Sequence, residues 1–199
     1  LPEDVIELGT ERTAWEGPEE RTVFRVSQLC LLLAATDDTS AKLTSLDRLA
    51  YFDFFAANPF VVLDGESPER DARDRLTLRL AGFADRQLNY GTVGHRFTTR
   101  RKRIQYDFAL LLSRGLAQVS SDRYAITESG KQFANALETV YADAYRTAAT
   151  IVLKRLGSLS EIRLRTKAEK MLGTSWLLID FLADVEGVDA SAPEGVGAL

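Results

Sequence analysis

Residues 96–137 constrain this 199-residue chain more than any other stretch. They read RFTTRRKRIQYDFALLLSRG, then LAQVSSDRYAIT, then ESGKQFANAL. In the first segment Phe97, Ile104, Phe108 and Leu111 recur at helical spacing and fall on one narrow stripe. Gly115 ends that helix, as a residue in the left-handed C-terminal position does. Residues 116–120 and 123–127 read as two short strands turned by Ser121-Asp122. Thr127 is placed to cap the next helix, and Gly130 to let that helix approach the hairpin closely. Helix, hairpin and helix in this order form the back half of a winged-helix module. The expected fold is therefore mostly α with a small β-wing, a winged-helix module embedded in a helical domain.

The elements around this module follow from local signals. Residues 1–21 are acidic and broken by Pro and Gly, which predicts an arm. Residues 22–95 form a helical N-terminal part. Within it, residues 22–36 are apolar on most sides, the mark of a buried helix, with Cys30 as a small core residue. Residues 45–57 form a second helix, capped by Ser45 and stopped by Asn58-Pro59. Tyr51, Phe52, Phe54 and Phe55 crowd that helix, so it is buried on several sides or faces another subunit. Residues 64–75 are a charged connector. Leu76, Leu78 and Leu80 alternate, which fits a short strand or the start of a helix equally. The winged-helix module then runs over 96–156 and ends in one long helix through Phe133, Leu137, Val140, Tyr141, Ala144, Ala148 and Ile151. Residues 157–186 hold two C-terminal helices, and 187–199 a flexible tail.

The first helix of the module carries the candidate site. Arg96, Arg100 and Arg103 form a row beside its apolar stripe, with Arg101 and Lys102 interleaved. Such a row contacts DNA phosphates, or pairs with acids of this chain or of a partner. Asp107, four residues after Arg103, makes a local ion pair available. Base reading needs amides or arginines at base edges, and Gln105 is the single amide among the central positions. The net charge of -4 argues that any basic patch is local. A second candidate is the helix at 174–185, whose Trp176, Leu177, Leu178 and Phe181 nearly encircle it. That surface belongs to a second helical layer or to a partner interface.

Catalysis finds little support. The single histidine, His95, sits in a Gly-flanked turn without a second histidine or a cysteine beside it. No phosphate-binding Gly loop or serine elbow is present. The acids of 64–75 lack ligand spacing and alternate with arginines, so a solvated face is expected rather than a metal site. No enzyme, cofactor or metal is expected. One cysteine excludes an internal disulfide and fits a reducing compartment. No apolar run reaches transmembrane length, so a cytoplasmic protein is expected. The chain starts at Leu1 rather than Met, so its natural start is expected upstream.

Two segments, TSLDRLAYFDFFAANPF at 44–60 and RLTLRLAGFADRQLNYGTVGHRFTTRRKRIQYDFALLLSRGLAQV at 75–119, resemble the middle component of bacterial ABC-ATPase three-component defence systems, the group that includes Lamassu. The marks are the Leu-Asp-Arg-Leu start, the Phe-Asp-Phe-Phe run with Asn-Pro, and the Gly-rich turn before the basic helix. The resemblance implies a small non-catalytic adaptor beside a coiled-coil SMC- or RecN-like ATPase and an effector, often a nuclease. It implies an assembly that senses foreign DNA, with non-specific duplex contact and no membrane association. The alternative is a stand-alone dimeric winged-helix transcription regulator, which would bind a two-half-site operator.

Overall fold

The computed structural model describes residues 17–37, 39, 41–84, 93–120 and 123–173. The described chain is mostly helical with one small antiparallel sheet. A single 3-10 turn at Pro18–Glu20 leads into α1 (Thr22–Asp37). α2 (Leu46–Ala57) follows, then a second 3-10 turn at Pro59–Val62 and α3 (Pro68–Leu80). After α4 (Val93–Ser113) come β1 (Ala117–Ser120), β2 (Arg123–Ile126) and α5 (Glu128–Asn135). α6 (Val140–Leu156) and α7 (Glu161–Leu172) complete the described chain.

α1 and α2 form the interior because nearly every face of each is apolar. Val26, Leu29, Cys30, Leu31, Leu32 and Leu33 of α1 are buried, as are all four crowded aromatics of α2. Those aromatics therefore pack within the chain. Tyr51 stacks on Phe97 of α4 at 5.2 Å between centroids, and Phe54 meets the same ring edge-on at 5.5 Å. The Ser45 side chain accepts the Arg48 N–H and caps α2. Asn58 closes the helix by donating from its side-chain amide to the Phe54 carbonyl at 2.9 Å. Cys30 is fully buried, donates its thiol to the Gly130 carbonyl at 3.4 Å, and is pushed up to about 11 by burial. A thiol reagent at pH 8 is expected to leave Cys30 unmodified in the folded chain and to label it in urea. Labelling of the folded chain at the denatured rate would contradict this packing.

The C-terminal end of α4 closes in a Schellman arrangement. Gly115, at φ +66°, donates to Leu112, and Leu116 donates to Leu111. The hairpin pairs Ala117 with Ile126 and Val119 with Tyr124. It also reaches back 81 residues: the Tyr124 N–H donates to the Leu43 carbonyl at 2.7 Å. Thr127 caps α5 by accepting the Gly130 N–H, and its hydroxyl donates to the Gly115 carbonyl at 2.6 Å.

Two expectations need correction, and one open choice is decided. The long final helix is two helices, broken between Asn135 and Val140, with Thr139 capping the second. Arg146 stabilises the break by donating to the carbonyls of Ala134 and Leu137. Phe133, Val140 and Tyr141 of the expected stripe are consequently exposed. The alternating leucines lie on a helix, of which only Leu78 is buried, against Ala144 and Ala148 of α6. The acids of 64–75 are not simply solvated. Asp71 and Asp74 hold α3 to α6 through Arg155, both at 2.7 Å, and Asp64 pairs with Lys167 of α7 at 2.8 Å.

Candidate functional site

The arginine row of α4 faces α1, α2 and the turn at Pro18–Glu20 rather than open solvent. Asp107, the last member of the row, receives two hydrogen bonds from Arg25 of α1, at 2.8 and 3.0 Å. Both partners are buried. The local pair between Arg103 and Asp107 therefore does not form. The hydrogen bonds that Arg25 donates to Asp107 raise the Arg25 pKa.

Two turns earlier, Arg100 grips Asp53 of α2 with two nitrogens. It also donates to the Gln28 side-chain oxygen on α1. Asp53 accepts a further hydrogen bond from the Tyr145 hydroxyl at 3.1 Å, and Gln28 donates to the Tyr141 hydroxyl. A buried polar network thus joins α1, α2, α4 and α6. Burial opposes the charge on Arg100, but Asp53 outweighs that penalty and its pKa is raised. Burial of the hydroxyl, on a ring whose rest is exposed, holds Tyr141 up at about 12, and full burial holds Tyr145 well above the usual tyrosine range, so both act as neutral hydroxyls at pH 7.

The remaining cations of the candidate site point in different directions. Arg103 pairs with Glu20 at 2.7 Å, and Arg96 with Glu19 at 3.5 Å. Arg101 turns toward α2 and pairs with Asp47 at 2.9 Å. Lys102 is exposed on the opposite face, beside the exposed Gln105 and Tyr106. The row of the sequence is thus one core arginine, two arginines under an acidic turn, one arginine on α2 and one outward lysine. Trp176, Leu177, Leu178 and Phe181 lie outside the described residues. His95 sits in the first turn of α4, exposed, rather than in a loop before it.

Two concavities flank this face. A polar pocket of about 440 Å³ lies between the turn at Pro18–Glu20 and α4, lined by Arg25, Arg96, Arg100 and Arg103 with Glu19 and Glu20. An apolar groove of about 970 Å³ lies between the starts of α1 and α6, lined by Val23, Phe24, Leu31, Leu137, Tyr141 and Ala142. Val23 at 72% and neighbouring Val140 at 85% exposure leave its edges open, and Arg21 is the charged residue among its described lining residues. Among the described residues no group of three His, Cys, Asp or Glu side chains could hold a metal ion, and no helix is long and apolar enough to cross a membrane.

Arg25, Asp53 and Arg48 were not singled out by sequence reasoning. Arg48 is buried and donates to the carbonyls of Lys42, Gly157 and Leu159, tying α2 to the turn before α7. The signal was a charge set among apolar neighbours within a helix, which survives burial only with a partner.

No curated protein and no solved structure matches the chain. Residues 86–177, which take in α4, the hairpin and α5 to α7, match the family model of the ABC-three component (ABC-3C) system Middle Component 2, and this supports a middle component of an ABC-three component defence system.

Proposed function

We propose that this chain is a non-catalytic, cytoplasmic adaptor that links an SMC- or RecN-like ATPase of Lamassu type to an effector subunit. The match of residues 86–177 to a middle component carries this reading. A middle component of a three-component ABC system implies an ATPase and an effector as partners.

The chain order supports a winged-helix framework that begins earlier than residue 96. α1, residues 41–43, α2, α4 and the hairpin follow one another as its parts, with α3 inserted before α4. The hydrogen bond from Tyr124 to Leu43, at 2.7 Å, is the contact that the first short strand of such a module makes with its wing. In a DNA-reading module the outward face of the third helix enters the groove. Here that face offers Lys102, Gln105, Tyr106 and Ala109 and few cations. This favours protein contact as the main task.

The apolar groove is the proposed seat of the ATPase. Its occupant is an amphipathic helix whose apolar side covers Val23 and Tyr141 and whose acidic residue meets Arg21 at the rim. Co-expression with an SMC- or RecN-like ATPase from the same genome is expected to yield a stable complex. Val23→Glu with Val140→Glu alters two exposed residues and is expected to weaken that complex at least about tenfold while the helical circular-dichroism signal stays intact. A wild-type chain that ignores the ATPase, forms a homodimer and protects a two-half-site operator would instead establish a transcription regulator.

A further inference from the structure

The pocket between the Pro18–Glu20 turn and α4 has a composition that a structural contact alone does not require. Arg25 and Arg100 at its floor are neutralised from behind by Asp107 and Asp53. Arg96 and Arg103 at its mouth are met from the front by Glu19 and Glu20, the carboxylates among its described lining residues. The Glu19 and Glu20 side chains are 58% and 48% exposed, so these pairs are solvent-screened and exchange readily with other anions. The turn does not depend on them for its position. Arg25 holds its backbone by donating to the Glu20 carbonyl at 2.7 Å. The two carboxylates can therefore leave while the backbone stays.

Arg96 and Arg103 are two helical turns apart, about 10 Å along the axis of α4, which suits two anionic groups rather than one. Planar guanidinium groups favour oxyanions presented in this way. We propose that this pocket is a binding site for backbone phosphates of nucleic acid, and that Glu19 and Glu20 occupy it as an intramolecular competitor. In the resting chain the acidic turn screens Arg96 and Arg103 and keeps duplex affinity low. A partner or polyanion that displaces the carboxylates takes their place against Arg96 and Arg103. The site deepens the DNA-contact part of the adaptor reading, yet it is testable without any ATPase. Its failure is thereby separable from failure of that reading.

The experiment compares the wild-type chain, Glu19→Gln/Glu20→Gln, and that variant with Arg96→Gln/Arg103→Gln added. Binding to a fluorescein-labelled DNA duplex is followed by anisotropy over a range of KCl, with pyrophosphate as the free-phosphate probe. Glu69→Gln/Glu138→Gln serves as a control of equal charge away from the pocket. Removing the two carboxylates is expected to tighten duplex binding about tenfold. It should steepen the salt dependence by roughly two phosphate contacts, or about 1.8 in log–log slope. The added arginine substitutions should abolish both gains, and the control should show neither. Tighter pyrophosphate binding with unchanged duplex binding would retain the phosphate site and assign it to a free phosphate. Unchanged binding of both probes, or an equal gain in the control, would overturn the proposal.

Discussion

Asp53→Ala is expected to destabilise the folded chain by about 3–5 kcal/mol, because it leaves the Arg100 guanidinium buried without its counter-charge. That is a large fraction of a stability of about 5–15 kcal/mol. Asp53 is 3% exposed and accepts from both Arg100 and Tyr145, so removing it also leaves a buried hydroxyl without its acceptor. Asp53→Asn keeps an acceptor for Tyr145 but not the charge, and should cost less than Asp53→Ala. Combining Asp53→Leu with Arg100→Met removes both charges and should recover much of the loss, since an ion pair buried at this depth is a weak source of net stability. Urea unfolding at neutral pH measures all three. A loss below about 1 kcal/mol for Asp53→Ala would mean that Arg100 reaches solvent, and would return it to the surface row read from the sequence.

Gly130→Ala provides a test in which two effects oppose each other. In a solvent-exposed helix alanine is favoured over glycine by about 1 kcal/mol. Here a Cβ at position 130 would lie 2.0 Å from the Leu116 carbonyl oxygen and 2.6 Å from Ile126 Cγ1. The Leu116 carbonyl cannot simply retreat, because it accepts the Thr127 N–H at 3.1 Å in the closure of the hairpin. The backbone of α5 must move off the hairpin instead, and it would take with it the Gly130 carbonyl that receives the Cys30 thiol. Overpacking outweighs propensity, and a net loss of about 3 kcal/mol is expected. For a chain of this size that corresponds to a fall in Tm of roughly 6–12 °C. A variant as stable as the wild type would show that α5 and the hairpin sit further apart than described.

Much of the helical framework was legible because its signals are local. Ser45, Thr127, Asn58-Pro59 and Gly115 act within a few residues of themselves, and each takes its expected role. The buried aromatics of α2 were legible as a helix without a polar face, although the choice between core and subunit contact was not. The split between α5 and α6 was missed because the apolar spacing runs through it. Thr139 carried the signal, but it gained force only once Arg146 had taken up the carbonyls at the break.

The polar pairs were the least legible part. Spacing along α4 suggested that Arg103 would meet Asp107, yet Asp107 is taken by Arg25, 82 residues away in sequence. Arg100 and Asp53 are 47 residues apart, and Tyr145 reaches Asp53 across 92. Such choices depend on which helices lie side by side, and no periodicity within one helix encodes that. The same limit hid the link between Leu43 and the hairpin, a backbone hydrogen bond donated by Tyr124 across 81 residues of sequence.

Sequence by itself determined the helical character of this protein, the caps of α2 and α5, the hairpin with its close glycine, and a row of cations on α4. These follow from propensities and contacts spanning a few residues. Only the tertiary structure decided what the cations do. A guanidinium packed against α1 and α2 must be paired to remain charged, so Arg100 became part of the interior. Arg96 and Arg103 reached the edge of that interior, where the exposed carboxylates of Glu19 and Glu20 meet them in solvent-screened contacts.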